Sequence, residues 1–103
     1  MIFSFTGAGP TSSASLPISG PSDPWVTPAF HAYASGTFGS GGAMQIQYSP
    51  DTVNVADGAS RWFAPTALAF TASGDTWFQV RAKKIRVTLA GGDASTSLTL
   101  EII

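Results

Sequence analysis

Trp77-Phe78-Gln79-Val80-Arg81-Ala82-Lys83-Lys84-Ile85-Arg86-Val87-Thr88-Leu89 brings charge, aromatic rings and strict alternation together in one stretch of the chain. From Lys84 onward, Lys84, Arg86 and Thr88 point one way and Ile85, Val87 and Leu89 the other, the two-residue period of a strand with one buried face. The stretch reads either as two short strands joined at Ala82-Lys83 or as one long strand kinked there. Four of the five basic residues, Arg81, Lys83, Lys84 and Arg86, fall within it. Its polar side therefore reads as a basic rail, where the molecule concentrates positive charge.

Working outward, the same alternation recurs on both sides. Phe30, Ala32 and Ala34 oppose His31, Tyr33 and Ser35, and Met44, Ile46 and Tyr48 point inward with Gln45 and Gln47 outward. Leu68 and Phe70 share a face, and Leu98, Leu100 and Ile102 alternate with Ser97, Thr99 and Glu101. Ile2 to Phe5 suits a short strand, and Arg61-Trp62-Phe63 another before Pro65. Between these runs stand Gly36 to Gly42, Ser49-Pro50-Asp51, Asp57-Gly58, Ser73-Gly74-Asp75 and Ala90-Gly91-Gly92-Asp93, all with turn chemistry. Strands at this spacing with no 3.6-residue period predict an all-β chain, a single antiparallel β-sandwich or small barrel. Residues 1–28 carry Pro10, Pro17, Pro21, Pro24 and Pro28, which exclude a long helix or central strand. They read as an extended N-terminal arm, with an edge strand near Ser15 to Ser19, ahead of a sandwich domain at 29–103.

With 103 residues, one core buries only about 60 to 65 per cent of the unfolded surface. There is no cysteine to staple it. Charged residues make up 11% of the chain, well under the roughly 25 per cent of ordinary soluble domains. Two explanations stay open: a surface covered by copies of itself or by a scaffold, or a Ser/Thr/Gly-coated domain that stays soluble without charge. The net charge of −1 supplies no field to gather nucleic acid. No apolar run approaches the roughly 18 residues of a membrane span. No basic residue precedes Arg61, so a secretory signal is not expected.

Little in the residue types points to turnover. His31 is the one histidine and sits on an alternating strand, where surface or interface roles are commoner than catalysis. Asp23, Asp51, Asp57, Asp75 and Asp93 stand beside Gly, Pro or Ser, where a carboxylate bonds nearby backbone in a loop. Asp51, Asn54 and Asp57 do not follow the spacing of a calcium loop. Three binding surfaces remain: Trp77 and Phe78 flanked by the basic residues, as single-strand binders are built, an interface of the same basic residues with an acidic protein surface, or a sugar platform of Trp25, Trp62 and Trp77. Core or interface anchoring accounts for the three tryptophans as well.

Gly36-Thr37-Phe38-Gly39, Met44-Gln45-Ile46-Gln47-Tyr48-Ser49-Pro50-Asp51, Trp62, Phe70-Thr71-Ala72-Ser73-Gly74 and Arg81-Ala82-Lys83-Lys84-Ile85-Arg86-Val87-Thr88-Leu89-Ala90-Gly91 together resemble small β-sandwich structural proteins of tailed bacteriophages. In those, a strand, Tyr-Ser-Pro-Asp and a Trp precede an Arg-x-Lys-x-Ile-Arg-Val strand. The likeness spans roughly residues 29 to 103. It implies an immunoglobulin-like or jelly-roll-like sandwich and a non-enzymatic virion part without cofactor or metal. A capsid decoration (cement) protein is expected first, made in the host cytoplasm and bound at the capsid surface. Its partners are then the major capsid protein and sister copies in a dimer or trimer, not nucleic acid or membrane. Arg81, Lys83, Lys84, Arg86 and Trp25 are the expected protein-interface residues, and reversing Lys84 with Arg86 is expected to spare the fold. The alternative is a carbohydrate- or receptor-binding module of a tail or fibre.

Overall fold

Alternation translates directly into two layers. In a computed structural model, which describes residues 1–18 and 27–103, each alternating run is a strand whose apolar side chains meet those of a facing sheet. The strands are β1 (Ile2–Thr6), β2 (Thr11–Ser12), β3 (Leu16–Pro17), β4 (Ala29–Thr37), β5 (Ala43–Ser49), β6 (Ala69–Phe70), β7 (Gly74–Gln79), β8 (Lys84–Ala90) and β9 (Ser97–Ile102). Sheet A has the order β1-β9-β4-β7. Sheet B runs β2-β8-β5-β6, with β3 also on β8. All pairings are antiparallel, and the fold is an all-β sandwich.

The core lies between the sheets. Sheet A contributes Phe3, Phe5, Ala32, Ala34, Phe78, Leu98, Leu100 and Ile102, and sheet B contributes Met44, Ile46, Phe70, Ile85, Val87 and Leu89. Full burial of one such large side chain stabilises the fold by about 1.5–3 kcal/mol. The alternation read from the sequence groups Ala32 with Ala34, Met44 with Ile46 and Leu98 with Leu100 and Ile102 on buried faces, and sets Ile85, Val87 and Leu89 opposite Lys84, Arg86 and Thr88, as the strands do.

The stretch Trp77 to Leu89 is two strands, and they belong to different sheets. β7 ends at Gln79 in sheet A and β8 begins at Lys84 in sheet B, so Val80 to Lys83 carry the chain across one end of the sandwich. Gly36, paired with Leu98 one residue before the β4–β9 pairing ends, has a backbone angle of φ +115°, where an added Cβ would run into the Ser97 carbonyl. Only glycine fits there.

The first 28 residues differ from a free arm in their described part. Phe3 and Phe5 are core residues and β1 pairs along its whole length with β9. Thr11–Ser12 and Leu16–Pro17 then line the edge of β8, as the edge strand near Ser15 anticipates. Short pairing suits proline, which has no N–H to give to a longer ladder. Arg61 to Phe63 form a single bridge, Tyr48 to Phe63, in place of a strand. Trp25 lies outside the described residues.

Candidate functional site

The two sheets have two outer faces, and the crossover at Val80 to Lys83 sends the expected basic rail and the expected aromatic site to opposite sides. Trp77 alternates outward on sheet A, while Lys84 and Arg86 alternate outward on sheet B. A groove combining Trp77 with these cations is therefore not assembled.

On sheet B the outer face is covered at its Lys84 end. Residues 51–63 fold over it, and Lys84 beneath them is completely buried. Its aliphatic stem packs under the loop and its ammonium donates to the Val55 carbonyl at 2.8 Å, Ser60 Oγ at 2.6 Å and Asp57 Oδ1 at 3.2 Å. A buried ammonium needs such partners, because its hydration is lost. Trp62 closes the lid: its Nε1 donates to the Asp57 carbonyl at 2.9 Å. The Arg86 guanidinium lies 4.1 Å from the Trp62 ring centroid and donates to Gln47 Oε1 at 2.7 Å.

This corrects the basic rail. Lys84 is an internal strut, unable to contact a partner while the loop is closed, and Arg86 is half-buried against Trp62. Reversing the two charges would strip the loop of its anchor rather than spare the fold. Arg81 and Lys83 alone of the four stand exposed, at the crossover.

Asp51 and Asp57 serve the same closure. Asp51 accepts from the Arg61 backbone N–H at 2.7 Å and from its guanidinium at 2.8 Å. The hydrogen bond from the Arg61 side chain holds the Asp51 carboxyl down at about 2. Asp57 accepts from the Ser15 hydroxyl at 2.7 Å, which chiefly holds its carboxyl below the usual range with Lys84 helping. Asp93 organises the β8–β9 turn through Ser95 and Ser40 and is likewise lowered. Asp75 departs from the loop expectation: it lies within β7, opposite Tyr33.

On sheet A the outer face is open, and there the aromatic residues converge. His31 pairs with Trp77 across β4–β7, and Tyr33 sits two residues along. The rings form a row, His31 to Tyr33 at 4.2 Å between centroids and His31 to Trp77 at 4.7 Å, with interplanar angles of 25° and 31°. His31 Nε2 meets Asp75 Oδ2 at 2.6 Å and Nδ1 meets the Tyr33 hydroxyl at 3.0 Å. The neutral tautomer protonated on Nε2 satisfies both contacts, donating to Asp75 and accepting from Tyr33. Trp77 is 68% exposed and Tyr33 42%. Glu101, opposite Tyr33 on β9, and Gln79, two residues beyond Trp77, complete the rim.

Sequence reasoning placed His31 and Tyr33 on one face but did not join them to Trp77 and Asp75. Strand pairing across 44 residues makes that junction, and one sequence does not encode its register visibly. Among the described residues no group of three or more acidic or histidine side chains is placed to hold a metal ion, and no helix is long and apolar enough to cross a membrane. No protein-family model matches the chain, and neither a curated protein nor a solved structure matches it.

Proposed function

We propose that this chain is a non-enzymatic structural protein of a phage particle, of the capsid-decoration (cement) kind. In that reading it is an immunoglobulin-like or jelly-roll-like sandwich held on the major capsid protein, beside sister copies, at the capsid surface. The observation that carries the reading is the unequal treatment of the two faces. One is closed by the domain's own loop, and the other is left flat, aromatic and open. A rigid sheet with an uncovered aromatic face is suited to contact, not to internal packing. Arg81 and Lys83, exposed at the crossover, add charge suited to acidic patches on the shell. Many bound copies then stabilise the assembled shell by mass action.

A second reading, a carbohydrate- or receptor-binding module of a tail or fibre, is favoured by the ordered ring row ending in Trp77. One experiment separates the two. Particles purified from the source phage and split into heads and tails are probed with antiserum against the chain. Signal on heads at a copy number comparable to the shell protein supports decoration. Signal confined to tails supports the second reading, and particles free of the chain overturn both.

A further inference from the structure

We infer that the outer face of sheet A is a saccharide site, in which Trp77 carries the ring of a neutral sugar and the neighbouring β7 side chains Asp75 and Gln79 take its hydroxyl groups. The inference rests on the second reading above only in taking this face as the ligand-binding surface.

Three features point to that ligand class. The first is the platform. β7 is an edge strand of sheet A, so Trp77 ends the ring row with His31 against it on one side only. The electron-rich face of an indole attracts the C–H groups on one side of a pyranose ring, which carry partial positive charge. The second is rigidity. Asp75 and Tyr33 hold His31 from both ring nitrogens, and His31 in turn braces Trp77, so little side-chain freedom is lost when a ligand stacks.

The third is the rim. The four strands of sheet A contain no Lys or Arg, and the groups around the rings are the acceptors Asp75 and Glu101 with the amide of Gln79. A face rich in acceptors is complemented by a ligand rich in O–H donors. The same carboxylates repel phosphate and sulfate, which disfavours nucleic acid and sulfated glycans. An apolar protein surface would strip water from Asp75 and Glu101 and return no hydrogen bond. A second copy docked face to face across a two-fold axis would bring the acids of both copies into one interface.

The face is flat, not a pocket, so affinity for a single sugar ring is weak, with Kd on the order of 1 mM. Many copies on a particle would raise the effective affinity without new contacts.

The test uses the intact chain, titrated with maltotriose, cellotriose, chitotriose and lactose, and with heparin as a polyanion, followed by tryptophan fluorescence and heteronuclear NMR. The expected result is saturable binding of at least one neutral sugar, with shifts centred on His31, Tyr33 and Trp77. Trp77→Ala should weaken it about tenfold or more while the far-UV circular dichroism spectrum of the folded chain is retained, and Trp77→Phe should retain part of it. Heparin should move none of these signals. Failure of all four sugars to saturate overturns the inference, and so does binding that survives Trp77→Ala. Concentration-dependent dimerisation abolished by Trp77→Ala, without sugar binding, would assign the face to a second copy instead. None of these results alters whether the chain is found on the heads or tails of purified particles, so the proposed place in the particle stands or falls separately.

Discussion

On sheet B the outward residue Lys84 is wholly buried beneath residues 51–63, whereas on sheet A the outward residue Trp77 stands 68% exposed. Both lie in one thirteen-residue stretch, Trp77 to Leu89, and residue character alone would assign them the other way round, with the cation in water and the indole inside. The difference comes from what each sheet has nearby. β5 ends at Ser49, directly opposite Lys84, so the chain that follows at Asp51 begins its excursion beside the ammonium and supplies Val55, Asp57 and Ser60 as acceptors. Beside Trp77 no such loop starts among the described residues. A side chain's fate is set by the loop that its neighbour in register launches.

The largest effect should come from removing the buried cation. In Lys84→Ala, Val55, Asp57 and Ser60 lose their shared donor, and a buried charged partnership of this kind costs about 3–5 kcal/mol when one member is deleted. Asp57 is about a third exposed, which puts the expected loss near the lower end, about 3 kcal/mol, or roughly 12–24 °C in Tm for a domain of this size. Thermal melts of wild type and variant measure it. A loss of only a degree or two would mean that the loop holds without Lys84, and the sealed face would then be no more fixed than the open one.

Acid should loosen the sealed face next. Asp51 has its carboxyl lowered to about 2 by Arg61, and Asp57 is lowered by Ser15 and Lys84. A folded value below the ordinary 3.8 means stability that is fully present above the ordinary value and is lost as pH falls toward the folded one. Tm should therefore fall between about pH 4 and about pH 2, and Asp51→Asn should reduce that fall while lowering Tm at neutral pH. An unchanged acid profile in Asp51→Asn would remove the Arg61 pair from the account of the lid.

The core and the strands were legible because alternation is local: Ile85, Val87 and Leu89, or Leu98, Leu100 and Ile102, declare their face within six residues. An all-β sandwich or small barrel was legible for the same reason, but not the division of β7 and β8 between two sheets. The fate of Lys84 was not, because periodicity says which side of a strand a residue takes and nothing of what covers that side. Asp57-Gly58 and Trp62 were visible as a polar loop ending in an aromatic, but their meeting with Lys84 depends on the β5–β8 register, a contact between residues 24 to 29 positions apart. The ring row was half legible: His31 and Tyr33 share a strand, while Trp77 and Asp75 reach them only by pairing.

The smallest effect on stability should come from Trp77 itself. Replacing it with alanine removes one cross-strand aromatic contact with His31, worth about 0.2–1 kcal/mol, and little buried area, since most of the indole is in water. Trp77→Ala should thus shift Tm by no more than about 4–8 °C, well short of Lys84→Ala. A ring row kept for its own packing would show the reverse, because loss of Trp77 would free His31 from Asp75 and Tyr33 and loosen β7 at the sheet edge. Tm is read beside hydrogen exchange at the β4–β7 pairs. A drop comparable to Lys84→Ala, with lost protection from Ala29 to Ala34, would make the open face as structural as the closed one. A small drop with β7 still protected would leave Trp77 as a side chain that the fold holds out to solvent at little cost.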